Sequence, residues 1–194
     1  MLNIDLTGKR IEFNDDSTQN GMEGWTQVIG HKLVIFVYAT SNRFDWMVNF
    51  KCWPKKLEPE NIWMHASYYP YAQYLYAEIM RVLTEYPQIK EIVLFGYSVG
   101  GGIAVCAGKL LDFCNMSELI KVVNIDGPPV IKGMYDKVVT YYKTGSIVYR
   151  CIPWFDKYEN KVCLEKKWQP FWKAHAIYCE NGEMEKIVQE VIAL

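Results

Sequence analysis

The stretch of sequence that decides the fold is EIVLFGYSVGGGIAVCAGKLL, residues 91–111. It begins with a short apolar run up to Phe95, as in a strand that is covered on both faces. It ends with small and apolar residues from Ile103 to Leu111, which predict a helix. Glycines surround Ser98 between these two parts, so we expect a sharp turn that leads from the strand directly into the helix.

The turn matches the pattern G-x-S-x-G in Gly96-Tyr97-Ser98-Val99-Gly100. In such a turn the serine has a strained backbone and an exposed hydroxyl, and the flanking positions must be small because the helix crowds them. The turn lies at the carboxyl end of the sheet, where α/β folds bind ligands. We therefore predict Ser98 as a nucleophile and the Val99 amide, at the helix N-terminus, as a donor to an oxyanion. A glycine-rich phosphate turn or a plain loop is the alternative, although neither phosphate-binding glycine pattern is present.

The remaining periodicity predicts an α/β fold. Strands are predicted at 33–38, 122–125 and 147–151, and amphipathic helices between Pro70 and Pro87 and at 184–192. Strands that alternate with helices imply a mainly parallel central sheet with helices on both faces. Residues 2–13 alternate around Thr7-Gly8 and predict a hairpin, and the polar residues 14–24 predict a loop. Residues 1–30 are thus expected to form an N-terminal hairpin and loop appendage on a single domain, 1–194.

Composition excludes several classes of protein. The 194 residues carry a formal net charge of -1, so no basic surplus is available to bind nucleic acid. The longest apolar stretch, Leu33 to Ala39, is far short of the ~20 residues that span a membrane. No signal-peptide pattern opens the chain, so a cytoplasmic location is expected. The six cysteines are scattered without C-x-x-C spacing, so we expect reduced thiols and no metal site.

Four segments, one of which contains Ser98, resemble a single known family: VIFVYATSNRFDW (34–46), MHASYYPYAQYLY (64–76), YPQIKEIVLFGYSVGGGIAVCAG (86–108) and NIDGPP (124–129). Together they resemble the class 3 lipase family of α/β-hydrolases, over roughly residues 33–156. The resemblance implies an α/β-hydrolase fold that is near-minimal, with little or no cap. It also implies Thr40 as a second oxyanion donor, because Tyr38-Ala39-Thr40 stands in the place of the family's R-G-T turn. Tyr97 replaces the family's elbow histidine, and no D-x-V-P segment appears.

The general base must be one of three histidines. His31 precedes the first predicted strand of the sheet, on the edge away from the catalytic face. His65 matches a family histidine before the helix, for which we expect a structural role. His175 follows Ser98 in the chain, as the hydrolase order of nucleophile, acid and base requires. We therefore predict His175 as the base.

The acid must lie between Ser98 and His175. Asp156 follows the predicted strand 147–151 by a short loop, which suits a carboxylate presented at the end of a strand. Asp126, at the end of the strand 122–125, is the alternative. We predict Asp156, with Asp126 or another carboxylate left open.

These residues predict a serine hydrolase that cleaves carboxylic esters, of the esterase or lipase type, through an acyl-enzyme. The expected substrate is a small-molecule ester or a lipid, and no cofactor is required. Tyr97 and Trp154 are expected to contact the substrate, since large rings can line an apolar pocket. Two alternatives stay open: a catalytically silent hydrolase fold that binds a partner, and a thioesterase, amidase or acyltransferase with the same triad.

Overall fold

A seven-stranded sheet runs through the computed structural model of the protein, which describes residues 9–15, 20–38, 53–58, 61–133, 135–146, 148, 152, 154–165, 170, 174 and 182–193. In chain order the strands are β1 (Lys9–Asp15), β2 (Asn20–Ile29), β3 (Lys32–Val37), β4 (Pro54–Leu57), β5 (Ile62–His65), β6 (Glu91–Tyr97), β7 (Ile120–Ile125), β8 (Val138–Lys143) and β9 (Lys161–Glu165). The helices are α1 (Tyr69–Glu85), α2 (Val99–Leu111) and α3 (Glu183–Ala193).

The large sheet has the strand order β1-β2-β3-β6-β7-β8-β9. The strand β2 pairs antiparallel with both β1 and β3, whereas β3, β6, β7, β8 and β9 pair parallel with one another in that order. This arrangement confirms the mainly parallel sheet that the sequence predicts. The strands β4 and β5 form a separate antiparallel hairpin, which a β-bridge between Met64 and Ile131 joins to the segment after β7.

Both faces of the sheet are covered by helices. Along β3, Leu33, Ile35 and Val37 belong to the core that includes α1 and α2, whereas Val34 and Phe36 belong to the core that includes α3. The alternation follows from the two-residue period of a strand. Each fully buried aliphatic side chain of this kind contributes about 1.5–3 kcal/mol to folding. A continuous apolar strand is therefore stable only where helices protect both sides of it.

The helix α1 confirms the amphipathic pattern between the two prolines. Its buried residues, Ala72, Leu75, Ile79 and Val82, recur at intervals of three and four and form one face. Pro70 lies in its first turn, where a missing N–H costs no hydrogen bond, and Tyr86 ends the helix just before Pro87.

The predicted loop over residues 14–24 is wrong at both ends, because residues 14–15 belong to β1 and residues 20–24 to β2. Pairing explains the difference: β2 bonds to β1 on one side and to β3 on the other. A neighbouring strand satisfies the backbone of a polar, glycine-bearing segment, which local composition does not reveal. The predicted turn at Thr7-Gly8 lies outside the described residues. The single domain over 1–194 stays a prediction.

The strand predicted at 147–151 is wrong at Val148, which lies in a 3-10 turn, and its other residues lie outside the described part. The strand next to β7 is β8, which pairs parallel with it from Val138 to Tyr141. Several residues of β8 are only half-buried, so its pattern is weak. Among the helices that the structure describes, none has the length and the apolar character needed to cross a membrane.

Candidate active site

Ser98 occupies a strained turn between β6 and α2. Its backbone angles are φ 55° and ψ -124°. Positive φ is uncommon for a residue with a side chain, and this ψ lies outside the left-handed helical region that asparagine and aspartate tolerate. Such a conformation costs on the order of 1–3 kcal/mol and persists only where the surroundings enforce it. The strain predicted from the G-x-S-x-G pattern is therefore present at the serine itself.

Two glycines make the turn possible. A Cβ atom at Gly96 would lie 2.2 Å from the carbonyl oxygen of Gly100. A Cβ atom at Gly100 would lie 2.2 Å from the carbonyl oxygen of Val37 on the neighbouring strand. Both obstacles are backbone atoms, which cannot rotate away as a side chain can. The close approach of β3, β6 and α2 thus requires glycine at both positions.

Hydrogen bonds hold the serine backbone on both sides. The Ser98 N–H donates to the carbonyl of Ile125, at the end of β7, over 3.0 Å. The Ser98 carbonyl accepts the N–H groups of Gly101 at 3.0 Å and Gly102 at 3.3 Å. The turn is therefore anchored to the next strand of the sheet and to the first turn of α2.

The N-terminus of α2 begins directly after the serine. Val99 is its first residue, where backbone N–H groups have no acceptor within the helix, and the helix dipole places partial positive charge there. An anion next to Ser98 would meet these groups. Thr40, the second predicted donor, lies outside the described residues. The chain that leads to it passes close by, because a Cβ atom at Gly100 would lie 2.8 Å from the Tyr38 carbonyl oxygen.

Asp126 lies in the turn that follows β7, beside the elbow. It is fully buried, with 0% of its surface exposed, and its φ is 49°. Both of its carboxylate oxygens lie close to the hydroxyl of Ser146, at 2.6 Å and 2.7 Å. Asn124 holds the turn in shape: its side-chain oxygen accepts the Gly127 N–H at 2.9 Å, and its amide donates to the Gly127 carbonyl at 3.2 Å.

Asp156, the acid that the sequence favours, lies in a different environment. Its side chain is exposed, and one carboxylate oxygen accepts the Gly133 N–H at 2.6 Å. Its own N–H donates to the carbonyl of Ile131 at 3.1 Å. These contacts tie Asp156 to the segment that β5 also contacts through Met64.

Two of the three histidines have defined positions. His31 is exposed in the turn between β2 and β3, and its carbonyl accepts the N–H of Glu91, at the start of β6. It therefore lies at the end of the sheet opposite to Ser98. His65 is fully buried, and its ring stacks on Tyr68 with the ring centres 3.9 Å apart. Burial lowers the pKa of the His65 imidazole from 6.5 to about 4, so this ring is neutral at pH 7.

His175 lies outside the described residues. Its neighbour Ala174 is fully buried, and α3 begins at Glu183, eight residues after His175. Glu183 forms an ion pair with Lys143, the last residue of β8, whose side chain is only 1% exposed. The segment that carries His175 is thus followed by an anchor at the carboxyl end of the parallel sheet.

The two aromatic residues expected to contact substrate differ in exposure. Tyr97 is 8% exposed and packs in the core between the sheet and α3. Trp154 is 39% exposed and stacks on Trp53, with ring centres 5.6 Å apart. Their roles in substrate binding stay predictions.

Sequence reasoning missed Ser146 and Asn124. Both follow from one rule, that polar residues at the carboxyl ends of adjacent parallel strands meet at one edge. Ser146 follows β8, whose weak pattern does not predict a strand, and Asn124 lies inside the apolar strand β7. In the part of the chain that the structure describes, no three histidine, cysteine or carboxylate side chains come together as metal ligands.

Comparison with known proteins agrees with this geometry. The sequence model of the family described as Lipase (class 3) matches residues 34–156, which is more than half of the chain. No curated protein sequence matches the chain.

Three solved structures share the fold at low sequence identity. The lipase from Rhizopus microsporus var. chinensis is 16% identical, with a TM-score of 0.58, over 75% of this chain and 56% of that one. The mono- and diacylglycerol lipase from Aspergillus oryzae is 16% identical, with a TM-score of 0.57, over 73% and 56%. A triacylglycerol lipase whose catalytic centre is a serine protease triad is 17% identical, with a TM-score of 0.54, over 68% and 56%. The chain therefore spans little more than half the length of each of these proteins.

Proposed function

Because the chain belongs to the class 3 lipase family and has its α/β-hydrolase fold, we propose that it hydrolyses carboxylic esters with Ser98 as the nucleophile. The observation that supports this most strongly is the strained backbone of Ser98 at the N-terminus of α2. Strain of this kind is found at functional sites, where the surrounding structure enforces an otherwise unfavourable backbone geometry. Here it occurs at the residue directly before the first amides of α2.

In the proposed reaction His175 takes the proton from the Ser98 hydroxyl as its oxygen attacks the ester carbonyl. The carbonyl oxygen becomes an oxyanion, which accepts hydrogen bonds from the Val99 amide and from Thr40. His175 then donates the proton to the departing alcohol. A water molecule, activated by His175, releases the acid from Ser98. The acid that orients His175 is Asp156 or Asp126.

The proposed substrate is a small-molecule ester or a lipid. The enzymes with the same fold include lipases of mono-, di- and triacylglycerols, and the reacting group of each is a carboxylic ester. We propose that Trp154 and Tyr97 border the acyl group. A cytoplasmic location and the absence of a nucleic-acid partner stay predictions.

An activity-based probe tests the nucleophile directly. A fluorophosphonate reacts with a serine only where a base activates the hydroxyl, so we expect the intact protein to be labelled and Ser98→Ala to be unlabelled. Ser117→Ala serves as the control, because Ser117 lies in the turn beyond the opposite end of α2 and should label normally. If the intact protein is not labelled, or Ser98→Ala is labelled equally, the fold is catalytically silent at this site.

Hydrolysis of p-nitrophenyl esters then defines the class of substrate. Activity that falls beyond short acyl chains indicates an esterase, and activity that rises with chain length indicates a lipase. Labelling without ester hydrolysis would favour a thioesterase, amidase or acyltransferase.

A further inference from the structure

The turn that carries Asp126 touches the nucleophile from both sides of the aspartate. The Ile125 carbonyl accepts the Ser98 N–H, and a Cβ atom at Gly127 would lie 2.6 Å from the Ser98 carbonyl oxygen. Asp126 is thus the residue between two that contact the backbone of Ser98. An acid that orients the base of a serine nucleophile must lie in this neighbourhood.

The backbone at Asp126 is held in a left-handed conformation by the hydrogen bonds around it. Its φ of 49° is left-handed, and the reciprocal bonds between Asn124 and Gly127 enclose it. The Asp126 N–H donates to the Tyr141 carbonyl on β8 at 2.8 Å, which fixes the turn to the next strand. The carboxylate is therefore rigidly placed between β7 and β8.

A buried carboxylate is costly unless hydrogen bonds satisfy it. Ser146 supplies one, since its hydroxyl lies within 2.7 Å of both carboxylate oxygens of Asp126 and is itself only 4% exposed. A hydroxyl has one hydrogen to donate, whereas a carboxylate offers about four acceptor positions. A carboxylate that accepts the hydrogen of one hydroxyl can therefore also accept the N–H of an imidazole.

The turn of Ser146 and the start of α3 are tied to the same residue, Lys143. Ser146 lies three residues after Lys143, and its N–H donates to the Lys143 carbonyl at 3.1 Å. Lys143 in turn pairs with Glu183, the first residue of α3. Lys143 therefore links the turn of Ser146 to the start of α3, which lies eight residues after His175 in the sequence.

We propose that Asp126 is the acid of the Ser98 triad and that Ser146 is the positioning residue that holds its carboxylate towards His175. This inference rests on the proposed function. Asp156 instead maintains the segment at Gly133, to which its exposed carboxylate is bonded.

Replacing Asp126 and Asp156 in turn with the isosteric amide asparagine tests which of the two is the acid. Asn favours left-handed backbone as Asp does, so Asp126→Asn keeps the turn and removes only the charge. We expect Asp126→Asn to lower kcat for ester hydrolysis by about a thousandfold or more, as loss of a triad acid does, and to lower it far more than Asp156→Asn does. A large loss in Asp156→Asn with little loss in Asp126→Asn would overturn the assignment.

The role of Ser146 is tested against a matched hydroxyl in the same turn. Thr144 contacts Cys163 and not Asp126, so Thr144→Ala is the control. We expect Ser146→Ala to lower kcat about ten- to a hundredfold with KM unchanged, the range for a bond to a charged group, and Ser146→Thr to restore much of it. Loss of kcat no greater than that of Thr144→Ala would contradict the proposal.

A double variant keeps the test independent of folding defects. If Ser146 acts through Asp126, adding Ser146→Ala to Asp126→Asn causes no further loss of kcat, and full additivity would overturn the role. The experiments distinguish failure of the proposed function from failure of this inference. An unlabelled, inactive intact protein contradicts the proposed function, whereas an active protein that tolerates Asp126→Asn contradicts only this inference.

Discussion

The backbone N–H of Ser98 donates to the carbonyl oxygen of Ile125 over 3.0 Å. This bond joins the strained turn after β6 to the last residue of β7, one position before the buried carboxylate of Asp126. The two strands are parallel neighbours, so their carboxyl ends meet at the same edge of the sheet. Ser98 and Asp126 thus share one rigid frame, although 28 positions separate them in the sequence.

The strain at Ser98 should be measurable as lost stability. Glycine adopts positive φ without steric cost, so Ser98→Gly is expected to raise the free energy of unfolding by about 1 kcal/mol while it abolishes probe labelling. Ser98→Ala, which keeps the Cβ atom, should not gain this stability. Urea unfolding of the three proteins makes the comparison, and equal stability of the Gly and Ala variants would show that the turn is unstrained.

Gly100 should tolerate no side chain. In Gly100→Ala the new Cβ would overlap the Val37 carbonyl, so we expect a loss of at least about 2–3 kcal/mol in the free energy of unfolding, or failure to fold. Gly133→Ala is the control, because Gly133 has a φ of 95° but open space around it. It should cost only about 1 kcal/mol, from backbone conformation alone. A smaller loss at Gly100 than at Gly133 would mean that β3 and α2 do not meet this closely.

Burial of His65 should make the fold sensitive to acid. Its pKa is about 4 in the folded protein, against 6.5 for the exposed group, so the unfolded chain binds the extra proton first as the pH falls. Stability is therefore complete above pH 6.5 and is lost as the pH falls towards 4, at up to about 1.4 kcal/mol per pH unit.

His65→Phe removes this titration and keeps a ring against Tyr68. Between pH 7.5 and 4.5 we expect the free energy of unfolding of the intact protein to fall by about 2 kcal/mol more than that of the variant. Denaturant titrations at the two pH values give this difference. Parallel losses in both proteins would show that His65 is not the group responsible.

Trp154 should affect long acyl chains more than short ones if it borders the substrate. Trp154→Ala removes an exposed ring that stacks on Trp53, and we expect kcat/KM for p-nitrophenyl octanoate to fall about fivefold while that for the acetate changes little. Trp63→Ala is the matched control, since Trp63 is similarly exposed and pairs with Lys132. Equal effects of the two variants on the octanoate would indicate a general surface role.

The strands and helices that were correctly predicted share a strong local pattern. The strand β3 is a continuous apolar run, α1 has apolar residues at helical spacing, and the glycines around Ser98 mark the elbow. By contrast β8 is partly half-buried and contains polar residues, so the sequence pattern predicts a strand in the more apolar run downstream instead. The preference for Asp156 depended on that misplaced strand, whereas Asp126 lies beside Ser98 because β7 is bonded to β6.

The fold class and the turn at Ser98 follow from local chemistry, because a sharp strand-to-helix turn demands small residues at defined positions and burial on two faces demands continuous apolar runs. The residues that meet these requirements are close together in the sequence. The grouping of Ser98 with Asp126 and Ser146 depends instead on which strands pair and in what register, since hydrogen bonds across the sheet join residues that are distant in the chain. Only the folded sheet brings the Ser146 hydroxyl to the Asp126 carboxylate and the Ser98 N–H to the carbonyl of Ile125.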